Sequence, residues 1–156
     1  MRKTVLLLIA LTLCEYLEAQ EKNTSFLFTF NHLAISVKDV NRSAEFYMRV
    51  LKLPEITNRS KIEGVRWFIF SDKLELHLIS SIKENVTINK AVHLALATPD
   101  FDDFVKTLES QRIAYSDWPG HAQKVNIRAD GIKQIFFQDP DGYWIEVNSL
   151  TENGKK

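Results

Sequence analysis

One pattern occurs twice in this chain and limits what it can fold into. The first copy opens with NHLAIS at His32 and closes with LELHLI at Glu75. The second opens with VHLALA at His93 and closes with WIEVNS at Glu146. In each, an alternating run that carries a histidine leads to a helix-like run, then to further strands, the last bearing a glutamate. A repeat of this size fixes the architecture before any local motif does. Two similar halves, each supplying one imidazole and one carboxylate, can build a single His₂Glu₂ metal site where they meet.

Strand faces support this reading. Over residues 28–37, Leu33, Ile35 and Val37 share one face, while Phe30, His32, Ala34 and Ser36 share the other. Asp39 is placed to cap a helix whose apolar positions are Val40, Ala44, Tyr47, Met48 and Leu51, ended by Pro54. Strands follow at about 55–60, 65–71 and 74–80, the last two joined at Asp72 and Lys73. In the second half, Val92, Leu94 and Leu96 oppose Ala91, His93, Ala95 and Ala97. Asp100 is placed to cap a helix that buries Phe101, Phe104, Val105 and Leu108. A strand near 113–118, a polar loop over 118–131, and two strands joined at Asp139-Pro140-Asp141-Gly142 complete it. Each half therefore reads β-α-β-β-β. The expected fold class is α+β: two βαβββ repeats, about 28–81 and 90–149, forming a curved eight-stranded mixed sheet around a cleft, with helices outside.

The first twenty residues have another character. MRKTVLLLIALTLCEYLEAQ has two basic residues, an apolar run from Val5 to Cys14 and a small residue at Ala19, the order of a secretory signal peptide. The apolar run is shorter than the ~20 residues a permanent membrane span needs. Cys14 invites a lipid anchor, but Leu13 stands where a small residue would precede a lipidated cysteine. Residues 21–27 read as a flexible linker and 150–156 as a flexible tail. After cleavage the domain of 28–149 has no cysteine, so its stability rests on its core rather than on disulfides. The chain has 20 basic and 20 acidic side chains and no basic block, which argues against nucleic acid or an anionic membrane as partner.

His32 and His93 hold equivalent places, each on the face opposite the large aliphatic residues. Glu75 and Glu146 each sit between apolar residues that point the other way, and a carboxylate facing a closed interior is costly without a cation. Two imidazoles and two carboxylates suit Zn, Ni, Co, Mn or Fe better than Ca or Mg. His77 shares the face of Glu75 and is the alternative ligand to it. Glu75 is favoured because it matches Glu146 by repeat. His121, in the polar loop, reads as exposed or substrate-facing. Trp67, Phe68, Phe136 and Trp144 either line the pocket or belong to the core.

The segments NHLAISVKDVNRSAEFYMRVLKL, LELHLI, VHLALATPD and above all FFQDPDGYWIEV resemble the vicinal oxygen chelate superfamily of glyoxalase I, bleomycin- and fosfomycin-resistance proteins and extradiol dioxygenases. The resemblance spans about 28–149. It implies a paired βαβββ module, a divalent metal held by His32, Glu75, His93 and Glu146, a small-molecule substrate, and a homodimer, which is common in the superfamily. Its likeness to glyoxalase I implies a lyase or isomerase acting on vicinal oxygens through an enediolate, with Glu75 or Glu146 as the proton-transfer base. Lys52 departs from the glyoxalase pattern, which has glycine there, and Val92 departs from its glycine-rich approach to the second histidine. A secreted enzyme would also meet little glutathione. The alternatives are an Fe(II) dioxygenase using His32, His93 and Glu146, and a non-catalytic binding protein of the bleomycin-resistance type.

Overall fold

The structure, a computed structural model, describes residues 29–71, 74–81, 84 and 86–150. The segments expected to be a signal peptide and a linker lie outside them, as do the turn residues Asp72 and Lys73 and residues 151–156. The chain divides after Phe30, and the unit beginning at Asn31 holds both repeats.

The first repeat runs β1 (His32–Ser36), α1 (Val40–Val50), β2 (Glu55–Ile56), β3 (Val65–Ser71) and β4 (Leu74–Ile79). The second runs β5 (His93–Thr98), α2 (Phe101–Ser110), β6 (Tyr115–Ser116), β7 (Asn126–Ile127), β8 (Lys133–Gln138) and β9 (Trp144–Ser149). The duplicated βαβββ order is as expected. The strands are hydrogen-bonded as two sheets, however, ordered β1-β4-β3-β2 and β5-β9-β8-β6, with β7 beside β8. A single eight-stranded ladder is not formed between the described strands. The extra strand β7 lies inside the expected polar loop. There Gly131, at φ +83°, allows a tight turn in which Arg128 and Ile132 close a short hairpin.

Helix α1 starts where Asp39 accepts hydrogen bonds from the N–H groups of Asn41 and Arg42. Asp100 stands at the start of α2 but makes no side-chain capping bond. Instead its own N–H donates to Thr98 Oγ1. The buried side of α1 is Ser43, Ala44, Phe46, Tyr47 and Val50. Met48, expected inside, is exposed. Phe46 is buried because the second repeat covers it: its ring lies 6.4 Å from that of Phe137.

One hydrophobic cluster joins both repeats, with Ile35, Val37, Tyr47, Phe68, Leu76 and Leu78 from the first and Phe101, Leu108, Ile135, Phe137, Ile145 and Val147 from the second. Burying each such large side chain is worth about 1.5–3 kcal/mol, whereas water screens an exposed ion pair such as Lys106–Asp103. The shared core therefore dominates stability. A polar latch ties the repeats at the Asp139–Tyr143 turn. Tyr47 donates to Asp139 Oδ2 at 2.9 Å, Ser43 donates to Asp141, and Tyr143 donates to the Ser36 carbonyl at 2.9 Å. No helix of the described residues is long and apolar enough to cross a membrane.

Candidate metal centre

Because side chains alternate along a strand, burying Leu76, Leu78, Ile145 and Val147 in the core turns Glu75, His77, Glu146 and Asn148 to the opposite faces of their sheets. Parallel pairing then groups them. In the first repeat His32 stands opposite Glu75 and Ala34 opposite His77. In the second, His93 stands opposite Trp144 and Ala95 opposite Glu146. Counted from the histidine that opens each repeat, the equivalent of Glu146 is therefore His77, and that of Glu75 is Trp144. Motif matching pairs Glu75 with Glu146; the ladder does not. A shift of two residues keeps every side chain on its own face, so hydrophobic alternation carries no signal of it.

The first half-site is a column of stacked groups. The Arg59 guanidinium lies 4.7 Å from the Trp67 ring centroid. Trp67 stacks on His77 at 4.1 Å, and His77 stacks on His32 at 4.4 Å. Glu75 accepts from Arg59 at 2.7 Å and from His77 Nε2 at 2.8 Å. Hydrogen bonds from Arg59 and then His77 hold its carboxyl below the ordinary value. His77 meets Glu75 through Nε2, so Nδ1 is its other ring nitrogen available to a ligand. His32 donates through Nδ1 to Asn31 at 2.7 Å, leaving its Nε2 free.

The second half-site is more enclosed. Glu146 is only 7% exposed. Asn148 Nδ2 donates to its Oε1 at 2.6 Å, and His93 Nε2 lies 3.0 Å from its Oε2. His93 Nδ1 donates to the Lys90 carbonyl at 2.9 Å. Since that acceptor is a main-chain oxygen, Nδ1 carries the hydrogen, and Nε2 is the ring nitrogen that faces the carboxylate. Phe136 meets the His93 ring edge-on at 5.7 Å, and Trp118 does so at 6.2 Å. Lys90 Nζ lies above Phe136 and Trp144, at 4.5 and 4.9 Å from their centroids. Burial pulls its pKa below the ordinary value, against the opposing charge of Asp117.

Among the described residues, no three His, Cys, Asp or Glu side chains converge as a group that could hold a metal ion. The donors occur as two sets: His32, His77 and Glu75; His93 and Glu146. Their chemistry nevertheless fits a divalent ion. Each histidine has one ring nitrogen held by an oxygen partner, the arrangement that orients imidazole ligands.

Of the expected aromatic residues, Phe68 belongs to the core, while Trp67, Phe136 and Trp144 border the half-sites. His121 lies on the loop with its side chain 62% exposed, bonded to Asp117 at 2.7 Å. Sequence reading passed over Arg59, Lys90 and Asn148. Asn148 was within reach, two residues beyond Glu146 and so on the same face. Nothing in the periodicity pointed to Arg59 or Lys90, whose roles depend on loop conformation.

A family model described as the Glyoxalase/Bleomycin resistance protein/Dioxygenase superfamily matches residues 29–147. "Glyoxylase I 4" of Arabidopsis thaliana is 26% identical over 133 residues, 80% of this chain and 72% of that protein. "Metallothiol transferase FosB" of Staphylococcus saprophyticus is 24% identical over 129 residues, 79% of this chain and 78% of that one. A crystal structure of a glyoxalase/dioxygenase from Nostoc punctiforme superposes with a TM-score of 0.63 at 26% identity, covering 83% of this chain and 99% of the other.

Proposed function

The chain belongs to the glyoxalase/bleomycin resistance protein/dioxygenase superfamily, and from that premise we propose that it is a divalent-metal-dependent enzyme acting on a small substrate with adjacent oxygen atoms. The observation that carries this reading is the His93–Glu146 pair. A ring nitrogen whose partner nitrogen is fixed on the Lys90 carbonyl faces a carboxylate oxygen at 3.0 Å. An imidazole nitrogen and a largely buried carboxylate oxygen at that separation suit neighbouring places on one divalent ion.

The ligand set in this reading is His32, His77, His93 and Glu146. Glu75 serves as the carboxylate that orients His77, since Arg59 and the His77 N–H already occupy both its oxygens. These residues would hold a divalent ion such as Zn, Ni, Co, Mn or Fe, which would supply a Lewis acid for the substrate's neighbouring oxygens. The protein's own part is proton transfer. Asn148 holds Glu146 Oε1, and Oε2, displaced from the ion by the substrate, would take a proton from the carbon beside the substrate's carbonyl and return it to the next carbon. Phe136 and Trp118 pack edge-on against the His93 ring on that side. The result is a glyoxalase-I-like isomerisation. The leader-like sequence of residues 1–20 supports a secreted or periplasmic enzyme, for which thiols other than glutathione, or thiol-free 2-hydroxycarbonyl compounds, are the better substrate class. β1 and β5 are both edge strands of the described sheets, which suits a homodimer readable by light scattering.

The test loads purified protein with Ni, Co or Zn and follows solvent-deuterium exchange at the substrate carbon by NMR. The panel includes hemithioacetals of several thiols and simple 2-hydroxycarbonyl compounds. Stoichiometric metal, with exchange lost in Glu146→Gln, is expected. Protein that retains no ion after loading would sink the proposal.

A further inference from the structure

Lys90 stands between the two repeats, in a segment with no regular secondary structure, yet it is tied to the second half-site twice over. Its main-chain carbonyl accepts from His93 Nδ1 at 2.9 Å. Its ammonium donates to Ser116 Oγ at 3.2 Å, to the Asp117 carbonyl, and to the Trp118 carbonyl at 3.0 Å. Three donors meet three acceptors, so the ammonium has no hydrogen left for a substrate. It also lies against the rings of Phe136, Trp144 and Trp118, at 4.5, 4.9 and 5.7 Å from their centroids. The segment it fastens carries Trp118, whose ring meets Phe136 at 5.3 Å and His93 at 6.2 Å.

We propose that Lys90 is a positioning residue for His93: its carbonyl selects the ring nitrogen that faces Glu146, and its ammonium holds the Ser116–Trp118 segment that walls the imidazole. A lysine suits this task because a point charge with three rotatable donors can gather carbonyls from three directions while its methylene stem packs on aromatic faces. Fixing the ammonium also fixes the backbone at the start of β5, and so keeps the carbonyl under the His93 ring. An apolar side chain of the same length would fill the space but take the ammonium donor from the Trp118 carbonyl and leave the Asp117 carbonyl with the Gly120 N–H alone.

The proposal rests on the reading of His93 as a metal ligand, and the experiment separates the two. In metal-free full-length protein, long-range ¹H–¹⁵N spectra report the His93 tautomer. The emission of Trp118 follows from the difference between the protein and its Trp118→Phe variant. Lys90→Met is expected to mix the His93 tautomers and shift Trp118 emission to the red, while Lys90→Arg restores both. Cobalt affinity is expected to fall by up to about tenfold in Lys90→Met, because a carbonyl no longer held in place orients the His93 ring less well. An unchanged tautomer and unchanged emission in Lys90→Met would overturn the proposal. If the unsubstituted protein binds no cobalt, the metal reading fails, and the two metal-free signals still decide the role of Lys90. Should Lys90→Met not fold, Ser116→Ala removes one acceptor and keeps the charge. A partial shift of both signals in the same direction then supports the proposal, and no shift overturns it.

Discussion

Asp139 shows how much rests on a single buried carboxylate. It is 6% exposed and accepts from the N–H groups of Asp141 and Tyr143 and from the Tyr47 hydroxyl, 92 residues earlier in the chain. Burial pushes its pKa above the ordinary value, although these hydrogen bonds pull the other way. The folded state therefore keeps this proton to higher pH than the unfolded chain does. Its contribution to stability is greatest below the ordinary aspartate range and declines as pH rises from about 4 through the raised folded value. Asp139→Asn should remove that decline, because an amide can keep the two N–H contacts and donate to Tyr47. Urea denaturation at a series of pH values reads the difference, and parallel curves for the two proteins would refute it. Tyr47→Phe takes a donor from the buried carboxylate and should cost about 1–3 kcal/mol at neutral pH. The Asp-Pro-Asp-Gly turn was legible as a motif. Its partner was not, because nothing local to α1 marks Tyr47 as the residue that docks it.

At the scale of elements, both helices end alike, and not as their type prefers. Lys52 and Arg112 follow α1 and α2 with φ of +55° and +56°, a left-handed conformation strained for any residue with a Cβ. In each case the chain closes back on the helix, by Leu53 N–H to the Tyr47 carbonyl and by Ile113 N–H to the Leu108 carbonyl. The departure from glycine at residue 52 is thus a departure in chemistry and not in backbone path. Lys52→Gly and Arg112→Gly should each stabilise by about 0.5–1 kcal/mol after glycine's own entropy cost, raising Tm by a few degrees. A lower Tm would show that contacts of the basic side chains outweigh the strain. Strand faces were legible from alternation, whereas register was not, and register separates His77 from Glu75. With His77 as ligand, His77→Gln should weaken cobalt binding about as much as Glu146→Gln does. Glu75→Gln, which removes only an orienting carboxylate, should cost about tenfold. The reverse order would restore Glu75 to the ligand set.

For the whole molecule, the repeat made the architecture legible, because two halves with the same pattern of faces must bury the same surfaces. How the halves join was less legible, since it depends on contacts such as Phe46 with Phe137 and Tyr47 with Asp139 that link residues distant in sequence. The same limit applies to the site. Sequence could assign His32, His93 and Glu146 to the right faces, but only the ladders show that each half presents its own set of donors. That division allows a direct test of whether the halves act as one. If His32 and His77 complete the same ion site as His93 and Glu146, one ion should bind per chain, and loss of donors from either half should release nearly all of it. His77→Ala and His93→Ala would then each leave little bound cobalt by elemental analysis, although each leaves the other set intact. If the halves held ions independently, the protein would bind two, and each variant would lose one while keeping the other. Retention of half the metal in both variants would therefore exclude a shared centre, and with it proton transfer by Glu146 at a substrate held between the repeats.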